Sequence, residues 1–293
     1  ERERERDARY VREGRWGILL FLRSHLISSH PLPSPPLSSP VSLQMLPTTS
    51  RGRAAPSNGR PAATFPHYLR RIVKWQQMDI EYTFWQMLHL CTSPKVVYQH
   101  TKYHKQTKNQ WARDDPGFVV IFSLFLIVAA TAYCAAYSKS AAHAISTVIS
   151  VVTLHFFVVG VLLATCFWLL TNAYLREESP NSHVVEQRVE WLYAFDVHCN
   201  SFFPAFILLY VLQYFVSPIL VAHGLFPALL SNLLFMVSIS YYNYLNFLGY
   251  DVLPFLEKTT FFLYPIGLVI ILSPLMILGG FNPTRYFMTW YFS

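Results

Sequence analysis

The chain has 293 residues, of which 53% are hydrophobic, 16% aromatic and only 13% charged, against roughly 25% charged in soluble proteins. That leaves too few polar side chains to cover a soluble domain. The net charge of +7 is gathered before Pro116, ahead of the apolar part, so it reads as membrane topology rather than as a nucleic-acid surface.

Residues 1–65 are expected to be a disordered tail rich in Ser, Pro and Arg. The opening Glu1-Arg2-Glu3-Arg4-Glu5-Arg6 is how a repeated GA nucleotide tract translates, so 1–44 is expected to be a translated leader, with Met45 the better start. A secretory signal is disfavoured. Trp16 to Leu22 is a short apolar run, and Pro31, Pro33, Pro35, Pro36 and Pro40 suit no cleavage site.

Residues 66–116 form a basic, amphipathic region. Leu69, Ile72, Val73, Ile80, Phe84, Met87 and Leu88 recur at helical spacing, while Arg70, Arg71 and Lys74 supply positive charge. Two readings fit equally: a helix lying on an anionic leaflet, or one packed on the protein's own cytosolic side. Lys95 to Arg113 continues basic, with Tyr98, Tyr103 and Trp111 interleaved. Next to a span, juxtamembrane anchoring is favoured over RNA binding. His100 and His104, with His89 and Cys91 upstream, lack the further ligands of a zinc site. The four cysteines Cys91, Cys134, Cys166 and Cys199 contain no CxxC pair.

Residues 117–293 form the membrane domain. A hydrocarbon layer of about 30 Å takes about 20 apolar residues in a helix, and five stretches qualify: 118–137, 144–170, 202–222, 225–248 and 261–278. Asp114-Asp115-Pro116 marks the start of the first. The second is interrupted only by His155, and Gly160 and Ala164 offer it a small face for close packing. The predicted fold is therefore all-α, a bundle of about five transmembrane helices with a cytosolic amphipathic helix before the first. Basic residues flank the first span's start and the second span's end, which predicts a cytosolic N-terminus and a lumenal C-terminus.

The loop between the second and third spans, Tyr174 to Ser201, carries His183, Glu186, Glu190, Asp196, His198 and Asn200. On a helix from Ser182, His183, Glu186 and Glu190 would share a face, formally a metal-assisted hydrolase. The favoured reading is a solvated helix with Glu186 and Glu190 outward and Val185, Val189 and Leu192 inward. Asn232, Asn243 and Asn246 in the fourth span are expected to bond neighbouring helices. The five stretches hold no carboxylate, Lys or Arg, which argues against a pump. Nucleophile elbows, phosphate loops and HExxH motifs are missing as well. The reading assigns no cofactor and no metal.

Several strings resemble the uncoordinated-fifty family of eukaryotic Golgi membrane proteins. They are Tyr68-Leu69-Arg70-Arg71, Asp79-Ile80-Glu81-Tyr82-Thr83-Phe84-Trp85-Gln86-Met87, Lys105 to Pro116 (KQTKNQWARDDP), Glu186 to Asn200 (EQRVEWLYAFDVHCN), Asn246 to Asp251 (NFLGYD) and Phe281-Asn282-Pro283. The likeness runs from about Pro66 to Ser293. It implies a non-enzymatic Golgi or endoplasmic-reticulum protein that supports vesicle-mediated trafficking and the assembly or surface delivery of membrane-protein cargo. Linked to it are a large Arf guanine-nucleotide exchange factor or a coat component. The expected interaction surface is Arg70, Arg71, Lys74, Trp85, Lys105, Lys108, Trp111, Arg113, Glu186, Arg188, Glu190 and Asp196. The alternative reading is a membrane carrier or channel built on the Asn-bearing fourth span.

Overall fold

The computed structural model describes residues 78–108, 110–137, 140–177 and 187–292. The tail and leader, Arg70, Arg71, Lys74 and Glu186 lie outside these residues, as does the side chain of Lys108. Five helices are long and apolar enough to cross a membrane: α3 (Gly117–Tyr137), α4 (Ala141–Leu175), α5 (Trp191–Leu220), α6 (Leu225–Asp251) and α7 (Thr259–Leu278). Before them, α1 (Ile80–Thr92) and α2 (Pro94–Lys108) make a helical hairpin. After them comes the short α8 (Pro283–Tyr291). The fold is all-α. Among the described residues the only β pairing is the isolated bridge Arg176–Leu256, where Glu177 N donates to Phe255 O at 3.1 Å and Glu257 N to Leu175 O at 2.7 Å.

The start of α3 follows from its sequence. Pro116 supplies no N–H, and the Asp115 carboxylate accepts from Gly117 N at 3.0 Å and from Asp79 N at 2.7 Å. One side of α3 buries Phe118, Phe122, Leu126 and Ala130, while Leu124 and Val128 stand exposed. An outer face as apolar as the inner one is what a lipid solvent selects. Where α3, α4 and α5 meet, the Phe122 ring contacts Phe156, Phe202, Phe203 and Phe206, with centroids 4.9 to 5.6 Å away. Aromatic edge-to-face contacts of this kind hold helices together without a hydrophobic effect to drive them.

Three spans depart from uniform α-helical winding. In α4 the stretches Val151–Val158 and Thr171–Leu175 are π-helical, in α5 so is Ile207–Leu212, between Pro204 and Pro218, and α7 opens with a 3-10 turn, Thr259–Leu263. Prolines remove donors from the ladder and favour such shifts. Near the hairpin end, α5 and α6 approach closely because residue 249 is glycine. A Cβ there would fall 2.6 Å from Val197 Cγ1, and Tyr193 Oη donates to Gly249 O at 2.6 Å.

Three sequence expectations are corrected. The third span begins at Trp191 rather than 202, so the second half of the expected loop is helix. Hydropathy starts the span too late because Asp196, His198 and Asn200 are polar, but all three are buried. Asn243 and Asn246 do not bridge helices; they donate to Ile239 O and Tyr242 O of their own helix. Asn232 does bridge, reaching Phe281 O at 2.8 Å as well as Ala228 O. Lastly, α8 was not anticipated. Asn282 caps it by accepting from Arg285 N at 3.0 Å and also donates to Leu220 O at 2.6 Å. Thr284, Met288 and Phe292 are buried. Through Ser231 to Thr284 and the Phe292 ring stacked on Tyr133, α8 ties α6 to α3 across the end of the bundle opposite the hairpin.

Candidate functional site

Most of the described sequence-predicted residues gather at the hairpin end, where α1 and α2 sit against the beginnings of α3 and α5. Arg113, in the link between α2 and α3, is the centre. Its backbone N donates to Asp196 Oδ2 at 2.7 Å and its Nη2 to Asp196 Oδ1 at 3.2 Å. Nη1 reaches Gln86 Oε1 of α1 at 3.2 Å, and the guanidinium lies 4.3 Å from the centre of the Phe118 ring. The Arg113 side chain is 16% exposed and that of Asp196 4%, so this is a charge pair taken largely out of water. An Arg fork suits this role: it is planar, permanently charged and can serve three partners at once.

Glu190, the residue just before α5, does comparable work. Its two carboxylate oxygens accept from Trp111 N at 3.2 Å and Ala112 N at 3.3 Å. The expected outward-facing helix is therefore corrected for this part: residues 187–190 are not helical, and Glu190 points inward. Val189 is buried as expected, and its N–H and C=O pair with the Asn172 side chain of α4. The Trp111 indole packs near Tyr193 and Phe255, with Lys105 Nζ 5.6 Å from its centroid.

Two of these side chains do not lie on an outer surface. Trp111 and Asp196 are buried; they fasten the hairpin. Trp85 is half-buried, with its ring against Tyr82, His89 and His100. Arg188 is exposed. On α1, Thr83, Gln86, Met87 and Leu90 face the bundle, while Ile80, Phe84 and Leu88 are exposed, so a second apolar stripe looks outward. The Phe84 ring meets Phe125 of α3 at 6.2 Å. Lys95 and Lys102 on α2 are exposed, as is Tyr103 at 64%.

A polar layer missed by sequence reasoning lies under the hairpin. His198 Nδ1 and Tyr242 Oη are 2.9 Å apart, Tyr241 Oη donates to Leu90 O at 2.9 Å, and the Tyr98 hydroxyl is buried near Ser201 and Asn200. Burial pushes the Tyr98 hydroxyl well above the usual tyrosine range. Gly160 leaves room for this layer: a Cβ there would sit 3.0 Å from His198 Nε2. Among the described residues, no three His, Cys, Asp or Glu side chains converge as a metal would require.

These features define a class: an all-helical, multi-pass membrane protein with an amphipathic hairpin docked at one end. Residues 68–292 match the UNC-50 family, and the chain belongs to it. It is 49% identical to the "Protein unc-50 homolog" of Dictyostelium discoideum over 244 residues, covering 83% of this chain and 93% of that protein. It is 38% identical to the human homolog over 258 residues, covering 84% and 98%, and 40% identical to that of Danio rerio over 221 residues, covering 74% and 84%. No solved structure matches.

Proposed function

We propose that this chain is a non-enzymatic membrane protein of the Golgi and early secretory pathway. On this reading it supports vesicle-mediated traffic and the delivery of membrane-protein cargo by recruiting a cytosolic component, a large Arf guanine-nucleotide exchange factor or a coat subunit. Membership of the UNC-50 family motivates the pathway. The observation that supports recruitment is the hairpin itself: Arg113, Asp196 and Glu190 fasten it from within, which leaves Lys95, Lys102 and Tyr103 outward on a preordered basic face. Preorganisation raises affinity because little conformational entropy is lost on docking.

The test is a charge reversal, Lys95→Glu with Lys102→Glu, which leaves the buried fastening untouched. Exchange-factor recovery in pull-downs from Golgi membranes should fall several-fold, with the protein still Golgi-resident. Full recovery would remove the hairpin from the recruiting surface.

A further inference from the structure

Beneath α8 the bundle holds a partly open cavity of about 260 Å³, lined by His155 and Val159 of α4, Tyr210 and Gln213 of α5, and Phe287 and Tyr291 of α8. Three features point to a ligand. Gln213 is completely buried, yet neither Oε1 nor Nε2 makes a hydrogen bond. An amide left unpaired in an apolar layer is costly and is retained where something else completes it. Next, two of the three π stretches among the described residues, Val151–Val158 and Ile207–Leu212, are immediately followed by residues that line the cavity, Val159 and Gln213. π stretches are rare, give up α-helical register and concentrate at functional sites. Finally, the roof is held shut by a polar latch, the hydrogen bond between Tyr291 Oη and the His155 ring.

The lining also sets the ligand's chemistry. No Asp, Glu, Lys or Arg lines the cavity, so the ligand is uncharged. The Gln213 amide offers both a donor and an acceptor, which a hydroxyl satisfies in one contact. Gln213 lies seven residues before the end of α5, roughly 10 Å along the helix, within the apolar layer. The ligand therefore enters from the bilayer, past Val159, which is 41% exposed on the outer surface. At about 260 Å³ the cavity is smaller than the pockets of about 300 Å³ and more that take up a whole drug-sized ligand. It suits a polar end and the first few carbons, with the remaining body outside in the membrane.

We infer that this cavity binds the hydroxyl-bearing end of an uncharged membrane lipid, seated against Gln213 with α8 as its roof. Sterols and ceramides both carry this chemistry. The experiment uses the purified full chain in phosphatidylcholine vesicles, with a photoactivatable, alkyne-tagged sterol in one arm and an equivalent ceramide in the other. Cross-linked peptides are then mapped. In at least one arm, label should appear on peptides containing Val159 and Phe287 to Tyr291, and the two arms identify which lipid is held.

The unlabelled parent lipid should compete, while its O-methyl ether should not. Gln213→Leu should lower labelling at these peptides by about tenfold, the size of one buried hydrogen bond, without changing labelling of lipid-facing Val128. Because leucine suits an apolar span, this variant should fold. Tyr291→Phe, which opens the latch alone, should increase the rate of labelling. The inference is overturned if labelling is spread evenly over the outer surface, if it is indifferent to Gln213→Leu, or if neither lipid labels the cavity and Gln213→Leu simply raises thermal stability.

Discussion

Arg113 joins three segments distant in sequence: Gln86 on α1, Phe118 on α3 and Asp196 on α5. Removing one member of a buried pair leaves the other charge without compensation, and such losses run to about 3 kcal/mol. Asp196→Asn should therefore lower thermal stability in detergent by about that amount. The double variant Arg113→Met with Asp196→Leu should lose less than the single one, because it leaves no orphan charge. A double variant less stable than Asp196→Asn would mean that the pair does more than neutralise itself. Arg113, Glu190 and Asp196 were legible in the sequence as residues that matter, but not as partners. The 83 positions separating Arg113 from Asp196 carry no local signal of contact, and charged residues beside a span read by default as solvated.

At the scale of elements, the hairpin and α8 show what hydrophobic periodicity can and cannot reveal. The helical spacing of Ile80, Phe84, Met87 and Leu88 was visible, but it could not say which face docks. The structure puts Met87 with Leu90 against the bundle and Ile80, Phe84 and Leu88 outside. The early start of α5 was hidden by Asp196, His198 and Asn200, whose polarity mimics a loop until their burial is seen. For α8 the signals were present in Asn282-Pro283, a cap residue followed by proline at the first helical position; its brevity concealed it.

The docked hairpin makes an alkaline prediction. Tyr98 on α2 is buried against Val197 and Gly249, and its hydroxyl makes no hydrogen bond among the described residues. Burial holds its proton more tightly in the folded than in the unfolded chain. Its stabilising contribution is therefore complete below about pH 10, the ordinary tyrosine value, and is lost as the pH rises above it. Protease resistance of residues 80–108 should fall above pH 10 in the unaltered chain. Tyr98→Phe should match it at pH 7 and hold out better at pH 11. Identical alkaline profiles would show that Tyr98 is not the group that titrates.

For the molecule as a whole, five crossings were readable because membrane thickness imposes a length and lipid imposes a composition, and both are local properties of the chain. An odd number of crossings puts α1 and α8 on opposite sides. With the basic residues at the hairpin end, a glycosylation acceptor appended after residue 293 should be modified in cells. One inserted before residue 78 should stay unmodified. The reverse pattern would invert the orientation and place the hairpin in the lumen.

Chain order gives α8 a further role. It is the last of these elements to be synthesised, yet it holds Tyr133, His155, Leu220 and Ser231 together from four different spans. Until residues 283–292 have been made, all five crossings can be in the bilayer while Gln213 remains open to whatever lipid surrounds it. Closure of the bundle over Gln213 thus waits on the synthesis of residues 283–292, so the membrane that surrounds the chain at that moment is the one the open cavity faces.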